Sequence, residues 1–260
     1  MSASPSPAHA DDVTALRALL ARREQELATA RQDAEDFMRM VSHDLRAPLR
    51  HVLAYSSLLR EMLSGGEDPA PALATLERSS RQLGDMLDAV VELARLARAP
   101  LQPVHTPGAL LVEEARRGLQ GQVPDADLAR PVEWRIAPDL PALPGDATQL
   151  RQALRLLLAN ALKFTRHVPE ARIEVGAAPV EGAGVQLYVR DNGAGFDPAQ
   201  ASRLFQPFAR LHGPRFEGLG TGLAQVRQIV RRHGGQVHAE GAPGQGCTVT
   251  VTLPAVLAGR

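Results

Sequence analysis

Two features of this chain are best able to do chemistry: an imidazole beside a carboxylate, and a run of glycines ahead of a helix. His43 stands in SHDLRAPLR (42–50) with Asp44 next to it. If Val41 occupies an a position of a heptad seam, His43 falls at c and points away from the core. An exposed, neutral imidazole nitrogen is a usable nucleophile for a phosphoryl group near neutral pH. Asp44 can accept the other ring N–H, which fixes the tautomer and raises nucleophilicity. Pro48 removes a backbone donor, frees the carbonyl of Asp44 and is expected to bend the helix just below the histidine. A surface histidine on an amphipathic helix with a proline kink accounts for the same residues as well.

The second constellation is spread over the C-terminal half. In LRLLLANALKFT (154–165), Asn160 and Lys163 sit three apart and share one helix face. Asn160 offers a neutral oxygen to Mg²⁺ and Lys163 a point charge for phosphate, although an ordinary polar face reads the same way. VRDNGAGF (189–196) is a strand followed by a glycine-rich turn. A carboxylate at its end, Asp191, can accept a hydrogen bond from the exocyclic amine of adenine, and Gly193 and Gly195 let the backbone approach the ring. DNG is equally a hairpin turn. LFQPF (204–208) and EGLGTGLA (217–224) follow. Gly218, Gly220, Thr221 and Gly222 lead into a helix beginning near Leu223, whose backbone amides can receive phosphate oxygens. The loop lacks the Lys-Ser/Thr ending of a Walker A motif, and a GxGxG string alone is weak evidence.

These residues need elements to hold them. From 11 to 63 the chain has no Gly and one Pro, and Leu20, Leu27, Ala34 and Val41 make a heptad seam. SGGEDPAP (64–71) supplies a reversal, and 72–98 reads as a second helix with a stripe of Leu76, Leu83, Leu87, Val90, Val91 and Leu96. Two helices cannot bury both stripes, so the hairpin (11–99, behind a disordered tail 1–10) is expected to dimerise into a four-helix bundle. APLQPVHTPG (99–108) reads as an interdomain linker. Beyond it, 109–118 and 147–165 read as helices, and 132–136, 171–175, 185–190 and 247–253 as strands. Helices on one face of a mixed sheet, an α+β sandwich over 109–256, fit that order.

Composition restricts the partners. Lys+Arg and Asp+Glu both number 29, and Lys163 is the one lysine. The basic residues are scattered, which leaves neither a nucleic-acid footprint nor a polybasic membrane patch. A single cysteine, Cys247, excludes a disulfide framework and reads as a small strand residue. The first residues lack the n- and h-regions of a signal peptide and no window reaches a membrane span, so a cytoplasmic protein is expected, its input arriving from a sensor in trans or from a short N-terminal tail. His51, His105, His167, His212, His233 and His238 lack metal-ligand spacing and read as surface or packing residues. Trp134 is assigned to the sandwich core.

FMRMVSHDLRAPLRHVLAYSSLL (37–59) resembles the H box of the histidine kinase dimerisation and phosphoacceptor domain, and the likeness extends over 35–99. The later stretches, in order and spacing, resemble the N, G1, F and G2 boxes of the histidine kinase catalytic domain over 105–255. That domain has the Bergerat-type ATP-binding fold shared with gyrase, Hsp90 and MutL. The resemblance implies a homodimer that binds ATP and Mg²⁺, phosphorylates His43, and hands the phosphoryl group to an aspartate on a separate response-regulator receiver domain. It implies that Asn160 holds Mg²⁺, Lys163 contacts phosphate, Asp191 reads adenine, and 197–217 form a mobile lid. Phe205 and Phe208 are placed either over the nucleotide or in the core. Two residues depart from the family pattern. Ala47 stands where many members carry a Thr or Asn used for phosphatase activity, and Leu156 where many carry a further Asn. A catalytically silent phosphotransfer scaffold is opposed by the intact Asn160, Asp191 and glycines. A conformational ATPase clamp would need a transducer domain and a glutamate in the N-box helix.

Overall fold

A computed structural model describes residues 7–178, 184–213 and 216–255. The chain divides into two compact units, residues 1–83 and 84–260. Helix α1 spans Pro7–Gly65, with Pro48 inside it, so the tail expected over 1–10 is helical from Pro7, and residues 1–6 lie outside the described residues. Gly66 takes φ +73°, and the Asp68 carboxylate accepts the N–H of Ala70 at 3.0 Å where helix α2, Ala70–Arg98, begins. In α2 the buried positions recur every seven residues at Ala72, Ser79, Met86 and Leu93, with Leu96 three further on. Leu87 and Val91, expected in the stripe, are instead exposed, since Leu87 falls about 100° and Val91 about 150° away from that seam. Among the described residues no helix is long and apolar enough to cross a membrane.

In the second unit a five-stranded sheet has the order β2-β4-β5-β7-β6. Its strands are β2 Glu133–Ile136, β4 Arg172–Ala178, β5 Gly184–Asp191, β6 Gln236–Gly241 and β7 Cys247–Pro254. β2 pairs parallel with β4, and the other pairs are antiparallel. Helices α3 (Gly108–Arg117), α5 (Ala147–Phe164) and α6 (Gly222–Arg232) pack with the sheet around one apolar core that includes Leu111, Leu158, Leu162, Ile173, Val226 and Ile229. Each of those side chains is at most 2% exposed, so burial of this face holds the helices to the sheet. Trp134 packs partly buried against this core, with the Arg116 guanidinium 5.7 Å from its ring.

The expected linker carries structure of its own. Pro103–Pro107 form β1, which pairs antiparallel with β3, Ala142–Asp146, so this stretch is part of the second unit. Its three prolines suggested an open linker, but strand pairing with a distant segment overrides that local signal. The β3 strand and the short helix α4 (Asp125–Ala129) were not anticipated. One carboxylate joins several pieces. Asp146 caps α5 by accepting the N–H of Gln149 at 3.0 Å, and its other oxygen accepts the N–H of Gln102 at 3.0 Å. The N–H of Asp146 in turn donates to Nε2 of His233 at 2.9 Å, while Nδ1–H of His233 donates to the Ile229 carbonyl at 2.7 Å. His233 is fully buried, and burial lowers its pKa, so it is a neutral packing residue. Another buried carboxylate, Asp127 on α4, holds Arg166 through Nε and Nη2 at 2.8 and 2.6 Å.

Candidate functional site

A cavity of about 210 Å³ opens between α5, β5, β7, the 209–221 loop and the start of α6. Asp191 lines it together with the apolar Val189, Val249 and Leu157. Asp191 ends β5 opposite Cys247, which opens β7. Its carboxylate, 8% exposed, accepts the N–H of Gly193 at 2.8 Å. Burial raises its pKa from 3.8 to about 6, against the pull of the backbone hydrogen bonds from Gly193 and Cys247. The same burial, with the nearby Asp191, pushes the Cys247 thiol up to about 12, so it is an unreactive wall residue.

Polar groups and a glycine loop line it as well. Asn160 and Lys163 line it from α5, and Gly218, Gly220, Thr221, Gly222 and Leu223 line it from the loop and α6. Thr221, the N-cap of α6, makes no side-chain capping bond, so the first amides of that helix are left for a ligand or solvent. A Cβ on Gly222 would lie 3.8 Å from the Asn160 amide nitrogen and 4.0 Å from its oxygen, which brings the loop against Asn160. Gly220 takes φ +76°, and a Cβ there would stand 2.4 Å from the Ala209 carbonyl, so only glycine fits that approach. Burial lowers the pKa of Lys163, helped by the charges of Arg210 and Arg166, a cationic neighbourhood that suits an anion.

The two glycines of the 189–196 turn differ in where they lie. Gly193 does not line the cavity: a Cβ on it would be 2.5 Å from the Phe164 carbonyl, so its place is against the end of α5. Gly195 does line it, with φ +61°, and its own crowding is against the Ala242 carbonyl. Phe205 is buried in the core, and neither it nor Phe208 lines the cavity. The aromatic walls are Phe164, Phe196 and Phe216, joined by His212. Phe164 is 5.0 Å from the rings of both Phe216 and His212. Their sequence signal was position alone, Phe164 following Lys163 and Phe216 preceding Glu217. Within the expected lid, Asp197 caps a 3₁₀ helix at Pro198–Arg203, and Pro214 and Arg215 lie outside the described residues.

The histidine expected to act as nucleophile lies on α1. Its Nδ1 is 3.0 Å from the Asp44 carboxylate, and the imidazole is 83% exposed. With Nδ1–H donated to Asp44, the lone pair sits on Nε2 and faces solvent.

Residues 33–98 match the His Kinase A (phospho-acceptor) domain family, and 145–257 match the histidine kinase-, DNA gyrase B- and HSP90-like ATPase family. The chain is 33% identical over 94% of its length to the methanogenesis regulatory histidine kinase FilI of Methanothrix harundinacea, covering 27% of that protein. It is 33% identical over 90% of its length to cyanobacterial phytochrome B of a Nostoc species, covering 31% of that one. It thus spans about a quarter to a third of these curated relatives. The crystal structure of full-length ShkA in complex with AMPPNP superposes with a TM-score of 0.55 at 25% identity, over 87% of this chain and 47% of that one. With a phosphoacceptor helical hairpin followed by an ATPase-family α/β domain, the chain belongs to the histidine kinases.

Proposed function

We propose that this chain is an ATP-dependent protein-histidine kinase core. The apolar wall around Asp191 receives adenine, with Asp191 accepting from its exocyclic amine, and the glycine loop, the start of α6 and Lys163 receive the phosphates. The observation that carries the reading is one cavity lined both by a buried carboxylate and by a helix start without a side-chain cap, next to Asn160 and Lys163. In the transfer, Nε2 of His43 attacks the γ-phosphorus in line, the bond to the β,γ-bridging oxygen breaks, and ADP leaves. Asp44 holds the Nδ1 proton, orients the ring and offsets the positive charge that develops on it.

Mg²⁺ is expected with the nucleotide. Among the described residues no group of three or more His, Cys, Asp or Glu side chains could hold a metal. That suits an ion that takes one or two protein ligands and the rest from phosphates and water. Asn160, which lines the cavity beside the glycine loop, would hold it. When bound, the ion neutralises charge on the transferring phosphoryl group.

The partners follow the same reading. Leu16, Leu19, Leu20 and Leu27 of α1 are 52–61% exposed, an uncovered stripe that a second copy would cover. From phospho-His43 the group passes to a receiver-domain aspartate of a response regulator. The experiment is incubation with γ-labelled ATP and Mg²⁺, comparing wild type with His43→Gln and Asn160→Ala. Acid-labile, base-stable label in wild type and its loss in both variants is the expected result. An unlabelled wild type that still binds ATP would point instead to a silent scaffold.

A further inference from the structure

One face of α5 does more than line the cavity. Gln152, Leu156 and Asn160 are spaced four apart and so form one row along the helix. All three meet the start of α6. A Cβ on Gly222 would be 3.8 Å from Asn160 and 3.7 Å from Leu156, and the Gln152 side-chain amide donates to Oε1 of Gln225 at 3.3 Å. Gln225 sits in the first turn of α6, and its backbone N–H donates to the Thr221 carbonyl at 3.0 Å, so whatever holds Gln225 holds the end of the glycine loop.

The same Gln152 nitrogen also donates to Oε1 of Glu92 near the end of α2, again at 3.3 Å. Glu92 is itself fixed by Arg95, whose Nε and Nη2 donate to its two oxygens at 2.8 and 2.9 Å. This last part of α2 is seated on the catalytic unit by further contacts. Leu96, 2% exposed, belongs to the core cluster, and Arg232 of α6 donates to the Ala99 carbonyl and, at 3.1 Å, to Gln149. The tail of α2 and the first turn of the nucleotide helix therefore share one amide group.

We infer that Gln152 is a positioning residue: by holding Glu92 and Gln225 together it ties the glycine loop to the α2 tail, so that nucleotide in the cavity and seating of the tail stabilise each other. The inference rests on the nucleotide reading above. Linkage makes the effect reciprocal, so weakening the tail contact lowers nucleotide affinity by the factor with which nucleotide tightens the tail. For one shared, partly exposed amide that factor is about 3- to 10-fold.

The test uses the full chain with Mg·ADP as probe, with calorimetric titration for affinity and hydrogen–deuterium exchange over 92–107 for tail seating. In wild type, saturating Mg·ADP is expected to slow exchange in that segment. Gln152→Ala is expected to bind Mg·ADP about 3- to 10-fold more weakly and to lose the slowing. Glu92→Ala, remote from the cavity lining, is expected to weaken binding similarly, and Glu92→Gln, which keeps an acceptor oxygen, to restore it. Were Gln152→Ala unfolded, the two Glu92 variants would decide alone. Wild-type binding with unchanged exchange over 92–107, or an unchanged affinity in Glu92→Ala, overturns the inference. A flat wild-type titration overturns the nucleotide reading itself, and the inference with it.

Discussion

Replacing Asp191 by Asn keeps the side chain's shape and an acceptor oxygen but removes its ionisation, and the consequence can be worked out from its burial. In the folded protein the carboxyl is raised from 3.8 to about 6, chiefly by burial. Between those values the folded chain holds a proton that the unfolded chain has released. Stability from this group therefore falls as pH rises through the window, by at most about 3 kcal/mol at 1.36 kcal/mol per unit. Nucleotide affinity should run the other way, because the ionised carboxylate is the stronger acceptor for the adenine amine. At about pH 5 roughly one-tenth of the groups are ionised, so affinity should be about 10-fold lower than at about pH 7.5. The assay is calorimetric titration of Mg·ADP across that range in wild type and Asp191→Asn. Titration of the nucleotide phosphates is common to both proteins, and the difference between the two curves belongs to Asp191. Parallel curves would refute the assignment of Asp191 as the adenine-reading group.

Three further outcomes are expected. Asp44→Ala should slow labelling of His43 by about 10- to 100-fold without abolishing it, measured as an initial rate, because the nucleophile remains and only its tautomer and orientation are freed. Asp127→Ala should cost about 3 kcal/mol in urea unfolding, since it leaves the Arg166 guanidinium, 25% exposed, without the 3%-exposed carboxylate that pairs with it. Gly195→Ala should lower the melting temperature of the catalytic unit and weaken Mg·ADP binding. The new Cβ would lie 1.8 Å from the Ala242 carbonyl at φ +61°, a combination worth about 2 kcal/mol or more.

Much of the architecture was legible because it is written in local periodicity. The heptad spacing around Val41, the breakers at 64–71 and the apolar run of 147–165 each specify an element from neighbouring residues alone. Asn160, Lys163 and the glycine loop were legible as candidates for a similar reason: helix spacing puts the first two on one face, and glycines before a helix expose its amides. Which residues surround a ligand was not legible, because that depends on segments far apart in the chain. The sequence could not tell that Phe164, Phe196 and Phe216 line the cavity while Phe205 lies in the core, since aromatic character alone suits a cavity wall and a core equally. Nor could it show that Gly193 is required by the end of α5, that Pro103–Pro107 pair with β3, or that Gln152 reaches both Glu92 and Gln225, separated from it by 60 and 73 residues. The sequence by itself determined the long helices, the order of the motifs and the candidates for reactive groups, because these follow from covalent neighbours and helical geometry. Only the tertiary structure decided the burial that raises Asp191 and the contacts that join α2 to the nucleotide loop, because desolvation and hydrogen bonding depend on what the rest of the fold brings within a few ångströms.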